Sequence, residues 1–186
     1  MGVNMRRKTL DLLLIYTGAL LTVVLLAAGS LLMWGYTFTS SNVHNQLADQ
    51  KIFFPAKGSP GLKSPLIGPF LDKYAGQQLV NGAQAEAWAD HYIAVHLQGI
   101  GGGLTYAELS AKSMADPTNT VLAGEVQTVF QGETLRGMLL NAYAFGTMGM
   151  VALYSSIATW FLALVMLILT LFGVRHYRQT DPEVVV

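Results

Sequence analysis

The sequence predicts a mainly α membrane protein. Two transmembrane helices flank a mostly helical extracytoplasmic domain that carries a Pro/Gly-rich extended segment. Three observations predict this. Leu12 to Trp34 is a run of 23 residues broken only by Thr17, Gly18, Thr22, Gly29 and Ser30. Met150 to Val174 is a run of 25 broken only by Ser155, Ser156, Thr159, Thr170 and Gly173. Neither run holds a charge or a histidine, and about 20 apolar residues suffice to cross the hydrocarbon core. Finally, only 12% of the 186 residues are charged and 52% are hydrophobic, against about 25% charged in an ordinary soluble domain.

The divisions follow in order: a cytoplasmic tail at 1–11, a first span at 12–34, an extracytoplasmic domain at 35–149, a second span at 150–174 and a cytoplasmic tail at 175–186. Trp34, Tyr36 and Phe38 leave the first run as interfacial aromatics do. A secretory signal would use the same basic start, Arg6-Arg7-Lys8, and small residues at Ala27-Ala28-Gly29. The apolar run continues past that point to Trp34, which favours an uncleaved anchor. Orientation comes from the flanks. Arg6, Arg7, Lys8, Arg175 and Arg178 crowd the two short tails, whereas the 115 residues between the spans hold only six Lys/Arg. The positive-inside rule then places both termini in the cytoplasm and the middle outside the plasma membrane.

Within the external domain, residues 35–81 read as extended. Pro55, Pro60, Pro65 and Pro69 alternate there with Gly58, Gly61 and Gly68, and proline lacks the amide that a helix needs. Lys51 to Pro55 is an apolar run short enough for a strand or a surface-seeking segment. Residues 82–149 read as helices. Ala85, Trp88, Tyr92 and Val95 form a stripe at helical spacing, which the cluster Gly99-Ile-Gly-Gly-Gly103 terminates. Thr105 to Glu108 spells a capping box that opens a helix to Met114 or Ala115. Asp116-Pro117 reads as a cap with proline at the first helical position. Val121, Leu122, Val126, Val129 and Phe130 follow as a stripe, and Gly132 reads as a break. From Glu133 no proline occurs before Pro182, so this helix is expected to run into the second span.

Charge and composition exclude several function classes. Eleven basic and eleven acidic residues balance, which gives no electrostatic footprint for nucleic acid. The absence of cysteine removes disulfides, thiolate metal sites and Cys nucleophiles. No G-x-S-x-G elbow is present. The spans contain no ionisable residue for an ion or proton path. All four histidines (His44, His91, His96 and His176) lie outside the spans, so no haem ligand sits between the helices. No cofactor and no catalytic residue is expected, and the chain is read as not an enzyme.

Two constellations remain. Glu86, Asp90, His91 and His96 share one helix and are the metal-ligand candidates. Glu86 and Asp90 are four apart, which suits shared ligation, but Glu86–His91 and His91–His96 are five apart and diverge by about 140°. Small and hydroxylic side chains mark helix-packing faces in the spans: Gly18 and Thr22 in the first, Ser155, Ser156 and Thr159 beside Tyr154 in the second. Arg136 and Tyr143 are the expected contacts where the external helix nears the membrane.

A resemblance joins these readings. Gln46-Leu-Ala-Asp-Gln-Lys-Ile52, Tyr74-Ala-Gly-Gln-Gln78, Asp90-His91, His96-Leu97, Gly102-Gly-Leu-Thr-Tyr106, Gln131-Gly-Glu-Thr-Leu-Arg-Gly137 and Leu140-Asn-Ala-Tyr143 resemble a group of actinobacterial two-span membrane proteins of uncharacterised function. The likeness covers about residues 10–175. It implies the topology and an actinobacterial source, and it brings no catalytic residues. Some members carry the label of aromatic ring-opening dioxygenase, which the spacing of the two histidines and the carboxylates does not support. The expected role is a non-catalytic accessory or structural subunit of a larger membrane complex, with a respiratory or other oxidoreductase assembly as host. Its partners would be integral membrane subunits and lipid. The alternative is an extracytoplasmic ligand- or metal-binding sensor anchored by two helices.

Overall fold

A computed structural model describes residues 6–181, so residues 1–5 and 182–186 of the two expected tails lie outside the described residues. The chain is 81% helical and has no strand among the described residues. It divides into two compact units, one of residues 1–37 and 150–186, the other of residues 38–149. Two helices, α1 (Arg7–Asp49) and α6 (Thr120–Gln179), are each long and apolar enough to cross a membrane.

In the first unit the two helices run antiparallel. Ile15 lies against Gly173, Gly18 against Thr170, and Gly29 against Trp160. Ser156 Oγ donates to the Gly29 carbonyl at 2.8 Å and is completely buried. Ala163 is buried on the same seam. Glycine is required at Gly18 and Gly29 because a Cβ would collide with Thr170 Oγ1 or with the Trp160 indole. Such small residues let backbones approach closely where lipid removes the hydrophobic incentive to associate. Three further hydroxyls bond to their own helix: Thr22 donates to the Gly18 carbonyl at 2.8 Å, Thr159 to Ser155 at 2.7 Å and Thr170 to Met166 at 2.8 Å.

The second unit has a core of large apolar side chains. Phe54, Leu62, Ile67, Leu71, Leu79, Ile93, Leu97, Leu109, Val129 and Leu139 are buried together, with Val43 and Leu47 from α1. Here the sequence expectation for 35–81 needs correction. Residues 35–49 are not extended; they continue α1 to Asp49. No proline interrupts them, and a helix already nucleated in the span propagates at little further cost. Val43 and Leu47 then turn one apolar stripe into the core.

The Pro/Gly-rich segment begins only after α1. Lys51, with φ of 53°, turns the chain. Residues 52–55 then pair with 76–79: Phe54 N donates to Gln77 O at 2.9 Å and Leu79 N to Ile52 O at 2.9 Å, around a single antiparallel bridge of Phe53 with Gln78. The apolar run at Lys51–Pro55 thus finds a polar partner, Gln77-Gln78, which carries no strand pattern of its own. Gln78 Nε2 also donates to Ala48 O at 2.7 Å, capping the end of α1. Between the two paired stretches lie a 3-10 turn (Pro60–Leu62), a single turn α2 (Gly68–Leu71) and a second 3-10 turn (Asp72–Tyr74).

Helices follow from residue 82. Asn81 Oδ1 accepts from Gln84 N at 3.0 Å and caps α3 (Gly82–Trp88). A π-helical turn (Ala89–Ile93) joins it to α4 (Ala94–Ile100). Gly102 and Gly103 hold φ of 59° and 81°, a left-handed conformation that glycine adopts without a Cβ penalty. The expected box forms at Thr105 and Glu108 and opens α5 (Tyr106–Ala115). Two further expectations need correction. Asp116 does not cap α6; Asn119 does, its Oδ1 accepting from Leu122 N at 3.0 Å. Asp116 instead accepts from Thr118 Oγ1 at 3.0 Å within a turn, so Pro117 precedes the helix. Nor does Gly132 break α6. A Cβ there would strike the Leu97 side chain, so the glycine serves close packing of α4 on α6. Gly82 does the same, approaching the Tyr143 backbone so closely that a Cβ would sit 3.1 Å from Tyr143 Cα.

Candidate functional site

The four metal-ligand candidates are carried on α3 (Glu86, half-buried), the π turn (Asp90 and His91) and α4 (His96), and the last three meet different neighbours. Asp90 faces α6: Arg136 Nε and Nη2 both donate to its Oδ1, at 3.2 and 2.9 Å. Arg136 Nη1 donates to Glu133 at 3.3 Å. The Asp90 hydrogen bond, reinforced by Glu133, raises the Arg136 guanidinium above its ordinary value. His91 stacks flat on Phe70 with ring centroids 3.6 Å apart. His96 Nδ1 donates to the Tyr92 carbonyl at 2.7 Å. No group of three or more His, Cys, Asp or Glu among the described residues could hold a metal ion. The five-residue spacings behave as helical geometry dictates, even with one turn loosened to π: the side chains fan out.

The π turn has a packing consequence. Trp88 stacks on Tyr92 with centroids 4.2 Å apart, and Tyr92 meets His96 at 4.4 Å. Trp88 also receives Phe54 edge-on at 5.1 Å, and Phe54 meets Tyr74 at 5.2 Å. A continuous file of rings therefore runs from the paired segment into α4. Aromatic pairs at these distances contribute about 0.5–1.5 kcal/mol each beyond area burial. This file braces the second unit and engages the His96 ring against Tyr92.

The packing residues of the spans are distributed as follows. Gly18, Thr22 and Ser156 are buried between α1 and α6 within the first unit. Ser155 and Thr159 are half-buried, and Tyr154 is exposed, turned away from the seam. Arg136 pairs inside the head with Asp90, and Tyr143 backs onto Gly82.

Sequence reasoning did not find one feature. A groove of about 540 Å³ lies in the second unit between the end of α1 and the middle of α6. Phe38, Val43 and Leu47 line it from α1; Leu135, Met138 and Phe145 line it from α6. Its polar lining is Thr39, Asn42, Gln46, Gln50 and Asn141, and no lining residue is ionisable. The two walls are about 100 residues apart in sequence. The one available signal was the apolar stripe Leu135, Met138, Ala142 and Phe145 at helical spacing, which reads equally as core. No protein-family model, curated protein or solved structure matches this chain.

Proposed function

We propose that this chain is an accessory or structural subunit of a larger membrane complex, held in the plasma membrane by two helices. Both termini would face the cytoplasm and the head, residues 35–149, the outside. The single observation that carries the proposal is the apolar tip where α5 turns into α6. Met114 and Val121 are 72% and 71% exposed on either side of the turn at Asp116–Asn119. Tyr106 and Phe130, also exposed, meet with ring centroids 5.6 Å apart and planes tilted by 45° along the same hairpin. Large apolar side chains left uncovered in one place mark a protein contact more often than they mark bulk solvent. The tip also sits on the 60-residue α6, which continues into the apolar run of the second span. A rod of that kind suits bracing a neighbour better than it suits binding a diffusible substrate.

Integral membrane subunits are the partners this reading requires, and an oxidoreductase assembly remains the proposed host class. The test is purification of the tagged native chain in mild detergent, with mass spectrometry of what accompanies it. A stoichiometric set of membrane subunits is expected. Met114→Glu with Val121→Glu should release them while leaving helicity unchanged. Recovery of a lone chain under conditions that preserve other membrane complexes would sink the proposal.

A further inference from the structure

The groove between α1 and α6 points beyond the subunit reading. The geometry points to a binding site for a neutral membrane amphiphile, a hydrocarbon tail carrying carbonyl or hydroxyl groups. Four properties argue for that ligand.

The size fits. Small-molecule sites commonly enclose about 300–1,000 Å³, and this groove holds about 540 Å³. The wall chemistry is split. Along α6, Leu135, Met138, Ala142 and Phe145 repeat at helical spacing and form an apolar wall. Leu135, Met138 and Phe145 are exposed there, although a concave apolar surface gains most by being covered. Across from them, Asn42 and Gln46 on α1 and Gln50 just past its end repeat every four residues, and Asn141 adds a fourth amide. Each primary amide offers two donors and an acceptor, which suits a head group that both accepts and donates. The charge is also informative. An ionised head group would leave its charge without a counter-ion in a lining free of Lys, Arg, Asp, Glu and His, an unfavourable arrangement. Access is the last property. Phe38 follows Trp34 by four residues on α1, and Phe145 precedes Met150 by five on α6. In sequence, the groove's lining thus starts four and five residues from the two apolar runs that the proposed membrane reading assigns to lipid, where membrane-dissolved ligands concentrate.

Photolabelling of the full chain in phosphatidylcholine vesicles tests the site. Three trace probes are compared: a photoreactive diacylglycerol, a photoreactive isoprenoid quinone and a photoreactive phosphatidylglycerol. At least one neutral probe should label peptides within 38–50 and 135–145, and the anionic probe should not. Which neutral probe labels identifies the source of the ligand. Ala142→Trp, which fills the groove, should abolish that labelling and leave labelling of 12–34 and 150–174 unchanged. Asn42→Leu with Gln46→Leu keeps the groove open and removes two amides; labelling should fall about tenfold, the loss expected for one or two net hydrogen bonds. If the Trp variant loses its helical circular dichroism, the amide variant decides. Equal labelling by neutral and anionic probes, labelling confined to the spans, or groove labelling that the amide variant leaves unchanged would each overturn the proposal. These outcomes do not depend on whether a protein partner co-purifies.

Discussion

The two units of this molecule pack by opposite rules. In the helix pair, the buried positions are Gly18, Thr22, Gly29, Ser156 and Ala163, while Leu13, Leu14, Leu20, Val23, Phe161 and Phe172 face outward. In the head, Leu71 and Leu79 are fully buried in a core of large side chains, while Gly58, Gly76, Gly102 and Gly103 turn the chain at the surface. With the helix pair in a membrane, as proposed, the solvent explains the inversion. Water expels large apolar side chains into a core at about 25 cal/mol per Å². Lipid does not, so helices there associate through small residues that permit close backbone contact. The same α1 and α6 serve both regimes. On α1, Gly29 belongs to the seam of the helix pair, and Val43 and Leu47 belong to the head core.

Four substitutions would break or sharpen this contrast, and hydrogen exchange in detergent micelles reads each unit separately. The largest effect is expected in the head. Leu79→Ala leaves a cavity at a fully buried site and should cost about 2–5 kcal/mol, with faster exchange in α3 and α4. The spans should be indifferent to it. Gly29→Leu inverts the experiment: it adds apolar volume, drives it into Trp160, and should destabilise the helix pair by about 1–3 kcal/mol. A leucine that stabilised the pair would show that water-like burial governs the seam after all.

Smaller effects come from local bonds. Asn81→Ala removes the cap on α3 and should cost about 0.5–2 kcal/mol, seen as fraying of residues 82–85. Ser156→Ala deletes the hydrogen bond to Gly29 but keeps a small side chain. It should cost about 0.6 kcal/mol, the mean for such bonds in membranes, and far less than Gly29→Leu. The capping box supplies a pH handle outside the spans. Glu108 accepts hydrogen bonds from the Thr105 amide and hydroxyl, both at 2.8 Å. These bonds lower its pKa below the usual carboxylate value, the backbone bond first. A lowered folded-state pKa means the contribution is fully present above the unfolded-state value and is lost as pH falls through the folded one. Carboxyl NMR titration should therefore place the Glu108 midpoint below the ordinary value for a glutamate side chain. Thr105→Ala should return it upward.

Much of the architecture was legible because it rests on one-dimensional signals. Both apolar runs, the Gly99–Gly103 stop, the Thr105–Glu108 box and the continuity of the last helix into the second run are local patterns. What failed was also local in appearance but decided elsewhere. Gly132 looked like a break, yet the side chain it accommodates, Leu97, is 35 residues away. Asp116 looked like a cap, but Asn119 sits where the helix starts. Residues 35–49 looked like the start of an extended segment because the prolines that follow dominated the window. Two members of the candidate ligand cluster, Asp90 and His91, are claimed by Arg136 and Phe70, which lie on other elements.

Sequence alone determined where the apolar runs lie, that the glycines at 99–103 end one helix, and that the Thr105–Glu108 box opens the next. Those properties follow from composition, period and capping, each set within a few neighbouring residues. Only the tertiary structure decided that Ser156 meets Gly29, that Asp90 meets Arg136, that residues 52–55 pair with 76–79, and that a neutral groove opens between α1 and α6. These are pairings across 20 to 130 residues. They depend on which faces two elements bring together, and no local pattern records that choice.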